Sequence, residues 1–158
     1  MKEFAHIGEF VAHLSAIAAA ETLSLHHGLK KCADAVEKTA KSEIGHYQDE
    51  VGPFAGWVEL ADGTKVERVA LGFTENDPLE RTGELGDSIS HEIHGLEAVI
   101  GSDSDIMVYQ ELGTERIPPR AVLGPAGIRN KDLILRILGH AAAEGLLYGA
   151  GETLTKLE

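Results

Sequence analysis

The 158-residue sequence predicts an α+β fold: a long N-terminal helix and a C-terminal helix packed on a small antiparallel β-sheet, with an irregular insertion. Apolar residues recur every three and four positions over residues 4–44 and again after Asn130, which is the spacing of amphipathic helices. Residues 86–101 alternate between apolar and polar around Gly95, which predicts a hairpin. Residues 45–80 carry many Gly and Pro and no regular period, so we expect the insertion there.

The first helix has one apolar stripe along its length. The stripe comprises Ile7, Phe10, Val11, Leu14, Ile17, Ala18, Leu25, Leu29, Cys32, Ala33, Val36 and Ala40. Gly28 lies in its middle, so the pattern is compatible with one bent helix or with two. A long helix with a single stripe usually packs on a sheet or on a neighbouring subunit.

The remaining elements are shorter. Within the insertion, a short helix is expected near residues 64–71. Residues 106–112 fit a strand or a short helix equally well, because seven residues do not distinguish the two periods. Residues 117–125 contain three prolines and are predicted to be extended or looped. A second long helix begins near Asn130, which is a favourable N-cap residue.

We predict that residues 1–145 form a single domain and that residues 146–158, which are small and rich in glycine, form a loose C-terminal tail. At this length a chain buries roughly 68–70% of its unfolded surface, which is enough for a core without disulfides. Cys32 is the only cysteine, so no intrachain disulfide forms, and its place on the apolar stripe predicts an unreactive thiol.

The net charge of −12 argues against tight binding to a phosphate backbone, which needs a surplus of Lys and Arg. An acidic wall would still let DNA pass without sticking. No apolar run approaches the length of a membrane span, and residues 1–10 do not have the composition of a secretory signal, so no membrane association is expected.

Eight histidines raise the possibility of a metal site. His91 and His94 are three residues apart in a predicted strand, so their side chains are expected to point to opposite faces. Asp103 and Asp105 suggest a cation loop but lack the glycine and the distal glutamate of a calcium loop. A small metal-dependent hydrolase using these four residues is the alternative function. The sequence has no glycine-rich phosphate loop and no Gly-x-Ser-x-Gly elbow, so we predict no catalytic residue and no cofactor.

Four short segments follow one another in a distinctive order. They are Thr82-Gly83-Glu84-Leu85-Gly86-Asp87-Ser88-Ile89, then Val99-Ile100-Gly101-Ser102, then Glu111-Leu112-Gly113-Thr114, then Ile117-Pro118-Pro119-Arg120-Ala121-Val122-Leu123-Gly124-Pro125-Ala126. This order and spacing resembles the phage minor tail, virion-morphogenesis and tail-completion proteins of the head–tail junction. The resemblance covers roughly residues 30–142. Ala121-Val122 stands where that family usually has Pro-Phe.

The resemblance implies a structural virion protein rather than an enzyme. It implies a homo-oligomeric connector, neck or tail-completion ring, expected as a hexamer, through which DNA passes without specific binding. The expected neighbours are connector, tail-terminator or tail-tube proteins, and the expected location is the virion neck or tail after synthesis in the host cytoplasm.

The motif residues are expected either to form a subunit interface or to shape the turns of the monomer. These residues are Thr82, Gly83, Leu85, Ser88, Ile89, Glu111, Gly113, Thr114, Pro118, Pro119 and Arg120. Gly113 can adopt a positive φ and redirect the chain. Glu111 can accept hydrogen bonds from nearby backbone N–H groups or pair with Arg116 or Arg120.

Overall fold

A computed structural model of the chain describes residues 6–150, with side chains for residues 6–147, and it has the predicted α+β architecture. A small two-stranded antiparallel sheet accompanies a long N-terminal helix and helices near the C-terminus. The helices are α1 (Ile7–Glu43), α2 (Asp62–Ala70), α3 (Glu84–Asp87), α4 (Asp105–Leu112), α5 (Leu123–Arg129) and α6 (Lys131–Ala150), and the strands are β1 (Ile89–His94) and β2 (Glu97–Ser102). None of the described helices has both the length and the apolar character that crossing a membrane requires.

The chain divides into two compact units. The described residues of the first unit lie in 6–32, 93–98 and 132–150, and the second unit consists of 33–92 and 99–131. Helix α1 and the hairpin therefore contribute residues to both units. The single domain expected over residues 1–145 stays a prediction.

Helix α1 is one continuous helix, which decides between the two alternatives left open at Gly28. A Cβ atom at Gly28 would lie 2.9 Å from the Cβ of Ala141 in α6. The missing side chain therefore allows α6 to approach α1 closely, and this packing offsets the low helix propensity of glycine.

Helix α6 begins directly after Asn130, as predicted, and packs antiparallel to α1 within the first unit. A Cβ at Gly145 would collide with the backbone of Glu21. The loose tail expected from residue 146 stays a prediction; in the structure α6 continues through residues 146–150 to Ala150. Gly145 serves the helix contact rather than ending the helix. Residues 151–158, the remainder of the predicted tail, lie outside the described residues.

The insertion is irregular except for α2, which forms close to the expected position, and side chains tie its loops together. The Tyr47 hydroxyl donates to Oδ1 of Asn76 at 2.6 Å and accepts from the backbone N–H of Leu60 at 3.0 Å. Arg68, only 3% exposed, donates from Nε to the carbonyl of Thr74 at 2.7 Å and from Nη2 to the carbonyl of Glu80. These bonds pair backbone groups of a segment in which no strand of the sheet forms.

The predicted hairpin is present as β1 and β2, with Gly95 at φ 62° in the turn. Residues 105–112 form α4, which resolves the ambiguity between strand and helix. The extended prediction for residues 117–125 is wrong from Leu123 onward, where α5 begins. Pro125 lies in the first turn of α5, where a missing backbone N–H leaves no intrahelical bond unmade.

Candidate functional site

Side chains of the second unit line an open groove of about 900 Å³. The first motif segment contributes Thr82, Gly83 and Leu85, and the fourth contributes Pro118 and Arg120. Residues more than thirty positions apart in the sequence, such as Leu85 and Pro118, therefore meet on one surface. The groove is the candidate functional site.

Glu111 holds the end of the fourth segment in place. Its carboxylate accepts three backbone hydrogen bonds, from Val122 at 2.7 Å, Leu123 at 3.1 Å and Gly124 at 2.9 Å. These N–H groups belong to the start of α5, where the helix itself provides no acceptors. A carboxylate is also favoured there by the helix dipole. Of the two roles expected for Glu111, the contact with backbone N–H groups is the one observed.

Gly113 and Thr114 make the turn between α4 and the proline-rich segment. Gly113 has the positive φ that was expected, with φ 72° and ψ 174°. A Cβ there would lie 2.9 Å from the backbone N of Pro119. The Thr114 hydroxyl accepts from the backbone N–H groups of Arg116 at 3.2 Å and Ile117 at 3.1 Å. The third motif segment thus fixes the path of the fourth.

Ser88 and Ile89 belong to the first motif segment but do not line the groove. Ile89 is 1% exposed and belongs to the core. The Ser88 hydroxyl donates to the carbonyl of Leu85 at 2.7 Å and lies 2.7 Å from the hydroxyl of Ser102. The first and second motif segments are therefore joined through a pair of serines.

The two positions that depart from the family pattern are both buried. Ala121 is 5% exposed and Val122 is fully buried. The indole N–H of Trp57 donates to the carbonyl of Ala121 at 3.0 Å. The ring of Phe54 packs where a Cβ at Gly124 would lie. Aromatic residues of the insertion therefore cover the segment that carries the smaller side chains.

Arg120 is a buried cation at the groove, with 6% of its surface exposed. Its backbone N–H donates to the carbonyl of Gln110 at 2.6 Å, and its Nη2 donates to the carbonyl of Val58 at 2.8 Å. Nε is buried and makes no hydrogen bond within the described part of the chain. Desolvation lowers the pKa of the Arg120 guanidinium, since burial penalises its charged form.

The histidines proposed for a metal are not brought together. His91 and His94 lie on strand β1 with alternating burial, as predicted, with His91 half-buried and His94 exposed. Nδ1 of His91 lies 2.5 Å from a carboxylate oxygen of Glu37, and Nε2 lies 3.6 Å from Asp34. Within residues 6–150, no three His, Cys, Asp or Glu side chains are grouped to hold a metal ion. The hydrolase alternative stays a prediction without a grouped ligand set.

Two other titratable groups have shifted pKa values for structural reasons. Burial raises the pKa of the Cys32 thiol, in keeping with its place on the apolar stripe. Burial also raises the pKa of the Glu43 carboxyl, although the ion pair with Arg129 acts in the opposite direction. Neither residue lines the groove.

No protein-family model, curated protein or solved structure significantly matches the chain. The likeness of its four motif segments to the head–tail junction proteins therefore stays a prediction from the sequence.

Sequence reasoning identified the motif residues but missed the groove. The groove depends on residues of the insertion, such as Leu60, Arg68 and Phe73, whose placement is not periodic. One signal was available. Four of the chain's six arginines fall between residues 68 and 120, and all four line the groove of a strongly acidic protein.

Proposed function

We propose that this chain is a structural virion protein, a subunit that assembles into a ring around the DNA channel at a phage head–tail junction. The observation that carries the proposal is an exposed apolar surface on the N-terminal half of α1. We call it the N-terminal stripe and define it by Ile7, Val11 and Leu14, which are 80%, 54% and 47% exposed.

The three residues of the N-terminal stripe are four and three positions apart, so they lie on one face of the helix. Isolated exposed apolar side chains are common on soluble proteins, but a continuous apolar surface usually marks an interface. Covering the stripe with another subunit would remove this surface from water. Such burial stabilises the contact by roughly 25 cal/mol per Å² of apolar area.

The motif resemblance supports assembly into a ring, and the net negative charge supports a ring around DNA. A ring needs a heterologous contact, in which one surface of a subunit meets a different surface of the next. A net charge of −12 per subunit would give a channel that repels DNA and lets it slide. Neighbouring connector, tail-terminator or tail-tube proteins are the proposed partners along the axis.

Electron microscopy of the purified full-length protein at rising concentration, alone and mixed with neighbouring virion proteins, tests this function. We expect closed rings, with DNA threading or channel dimensions compatible with a duplex. A protein that remains monomeric under all these conditions would contradict the proposal, as would turnover of a substrate that is abolished by His91→Gln.

A further inference from the structure

Four arginines and three glutamates line the groove, which gives it a small excess of positive charge in an acidic chain. The arginines are Arg68, Arg81, Arg116 and Arg120, and the glutamates are Glu59, Glu67 and Glu84. Two of these glutamates already pair with cations, Glu59 with Lys65 at 2.6 Å and Glu67 with Arg81 at 3.4 Å. The groove therefore favours a ligand that brings negative charge.

Arg120 has no carboxylate partner in the part of the chain that the structure describes. Its side chain bonds there only to the carbonyl of Val58. A buried charge without a partner is costly, and native proteins usually neutralise one by an ion pair. The Oε1 atom of the adjacent Gln110 is also buried without a hydrogen-bond partner. The buried guanidinium without a carboxylate partner is the feature of the groove that an acidic ligand would complete.

The walls of the groove are largely apolar. Leu60, Phe73, Leu79, Leu85 and Ile117 are among the lining residues. A small carboxylate would meet Arg120 but leave these walls in water, whereas a polypeptide segment would cover them. Nucleic acid is disfavoured, because the chain carries a net charge of −12 and lacks the surplus of Lys and Arg that binding a phosphate backbone needs.

We propose that the groove binds a short segment of a different protein, one that places an Asp or Glu carboxylate against Arg120 and apolar side chains against the walls. A segment of this chain itself is the alternative occupant, which a selected sequence matching the chain would reveal. The groove lies in the second unit and the N-terminal stripe in the first, so the inference does not depend on ring formation.

Selection from a library of short random peptides on the immobilised full-length protein tests the proposal. We expect selected peptides to share an acidic residue flanked by apolar residues. A synthetic peptide of the selected sequence should bind in a fluorescence anisotropy titration. Its binding should weaken as the salt concentration rises. Replacing its acidic residue by the corresponding amide should raise Kd about tenfold or more, as the loss of a charge-assisted contact predicts.

Three variants locate the binding. Arg120→Gln should raise the Kd of the peptide by as much as replacing the acidic residue of the peptide with its amide does. Since Arg120 also supports the fold, Thr82→Asp provides a second test: Thr82 is exposed at the groove, and the new charge should repel the peptide. Arg136→Gln removes the same charge from a residue of α6 that does not line the groove, and should leave Kd unchanged.

Four outcomes would overturn the proposal: no selected peptide, selected peptides without acidic residues, binding unaffected by Thr82→Asp in the folded protein, or equal weakening by Arg136→Gln. Selected sequences that match this chain itself would overturn the assignment to a different protein. If rings form normally while peptide binding fails, the groove inference falls and the ring proposal stands.

Discussion

The two halves of α1 have the same apolar periodicity and opposite surroundings. In the C-terminal half, Ala33, Val36 and Ala40 are at most 7% exposed. In the N-terminal half, Ile7 and Val11 are more than half exposed. The difference comes from what folds against each half. The motif segments and the insertion form the second unit around residues 33–43, whereas the described residues leave the N-terminal stripe open.

The comparison teaches that an apolar stripe identifies a helix face but not the element that covers it. Burial within one chain accounts for the C-terminal half. For the N-terminal half, a second subunit is the proposed cover. Val36 against Val11, Gly113 against Gly83 and Gly145 against Gly139 each compare a crowded position with an open one.

The largest effect is expected from a charge in the covered half of α1. Val36→Asp should lower the free energy of unfolding by about 3 kcal/mol or more, because it buries a carboxylate without a partner. Val11→Asp makes the same change where the side chain is 54% exposed, and should alter the unfolding of the monomer by less than about 0.5 kcal/mol. Urea unfolding monitored by circular dichroism measures both. Equal losses would show that the two halves are not differently covered.

A smaller effect is expected at Gly113. Its φ and ψ lie in a region that is nearly exclusive to glycine, and a Cβ would meet Pro119 and the carbonyl of Ile117, 3.0 Å away. Gly113→Ala should cost about 2–3 kcal/mol. Gly83 also has a positive φ, 88°, but open space around it, so Gly83→Ala should cost about 1 kcal/mol. Thermal unfolding measures both losses of stability. A smaller loss for Gly113→Ala than for Gly83→Ala would contradict the assigned turn.

Two glycines of α6 test the contact between helices. Gly145→Ala should destabilise by about 1–2 kcal/mol, since its methyl group would press on the backbone of Glu21. Gly139 has nothing within 4 Å of its Cβ position, so Gly139→Ala should stabilise by up to about 1 kcal/mol through helix propensity. If both changes stabilise the protein, α6 does not pack on α1 at Gly145.

The smallest effect concerns the pH dependence of the covered half. Hydrogen bonds from Lys41 and His91 lower the pKa of Glu37 from its ordinary value of 4.5. Because folding lowers its pKa, the Glu37 carboxylate contributes stability at pH values above its ordinary pKa. This contribution is lost as the pH falls through the folded-state pKa. Glu37→Gln should cost less than about 1 kcal/mol near neutral pH. The difference in the free energy of unfolding between wild type and variant should vanish in strong acid. A difference that grows as the pH falls would contradict a lowered pKa for Glu37.

The sequence predicted those elements whose pattern repeats. The helical stripe of α1, the start of α6 at Asn130, the hairpin around Gly95 and the positive φ of Gly113 all follow from local rules. Gly28 and Gly145 appeared to interrupt or end helices, because their role depends on a contact with the opposite helix. Helix α5 was missed in part because its cap is Glu111, twelve residues before its first residue Leu123. The groove was missed because the insertion that completes it has no periodicity.

Sedimentation velocity of the full-length protein over a range of concentrations tests the central claim, that the N-terminal stripe is a contact between subunits. We expect the wild type to associate, and Leu14→Glu to stay monomeric with an unchanged circular dichroism spectrum. Leu135→Glu alters an exposed leucine outside the stripe and should associate as the wild type does. Association of the Leu14→Glu variant at wild-type concentrations would contradict the account.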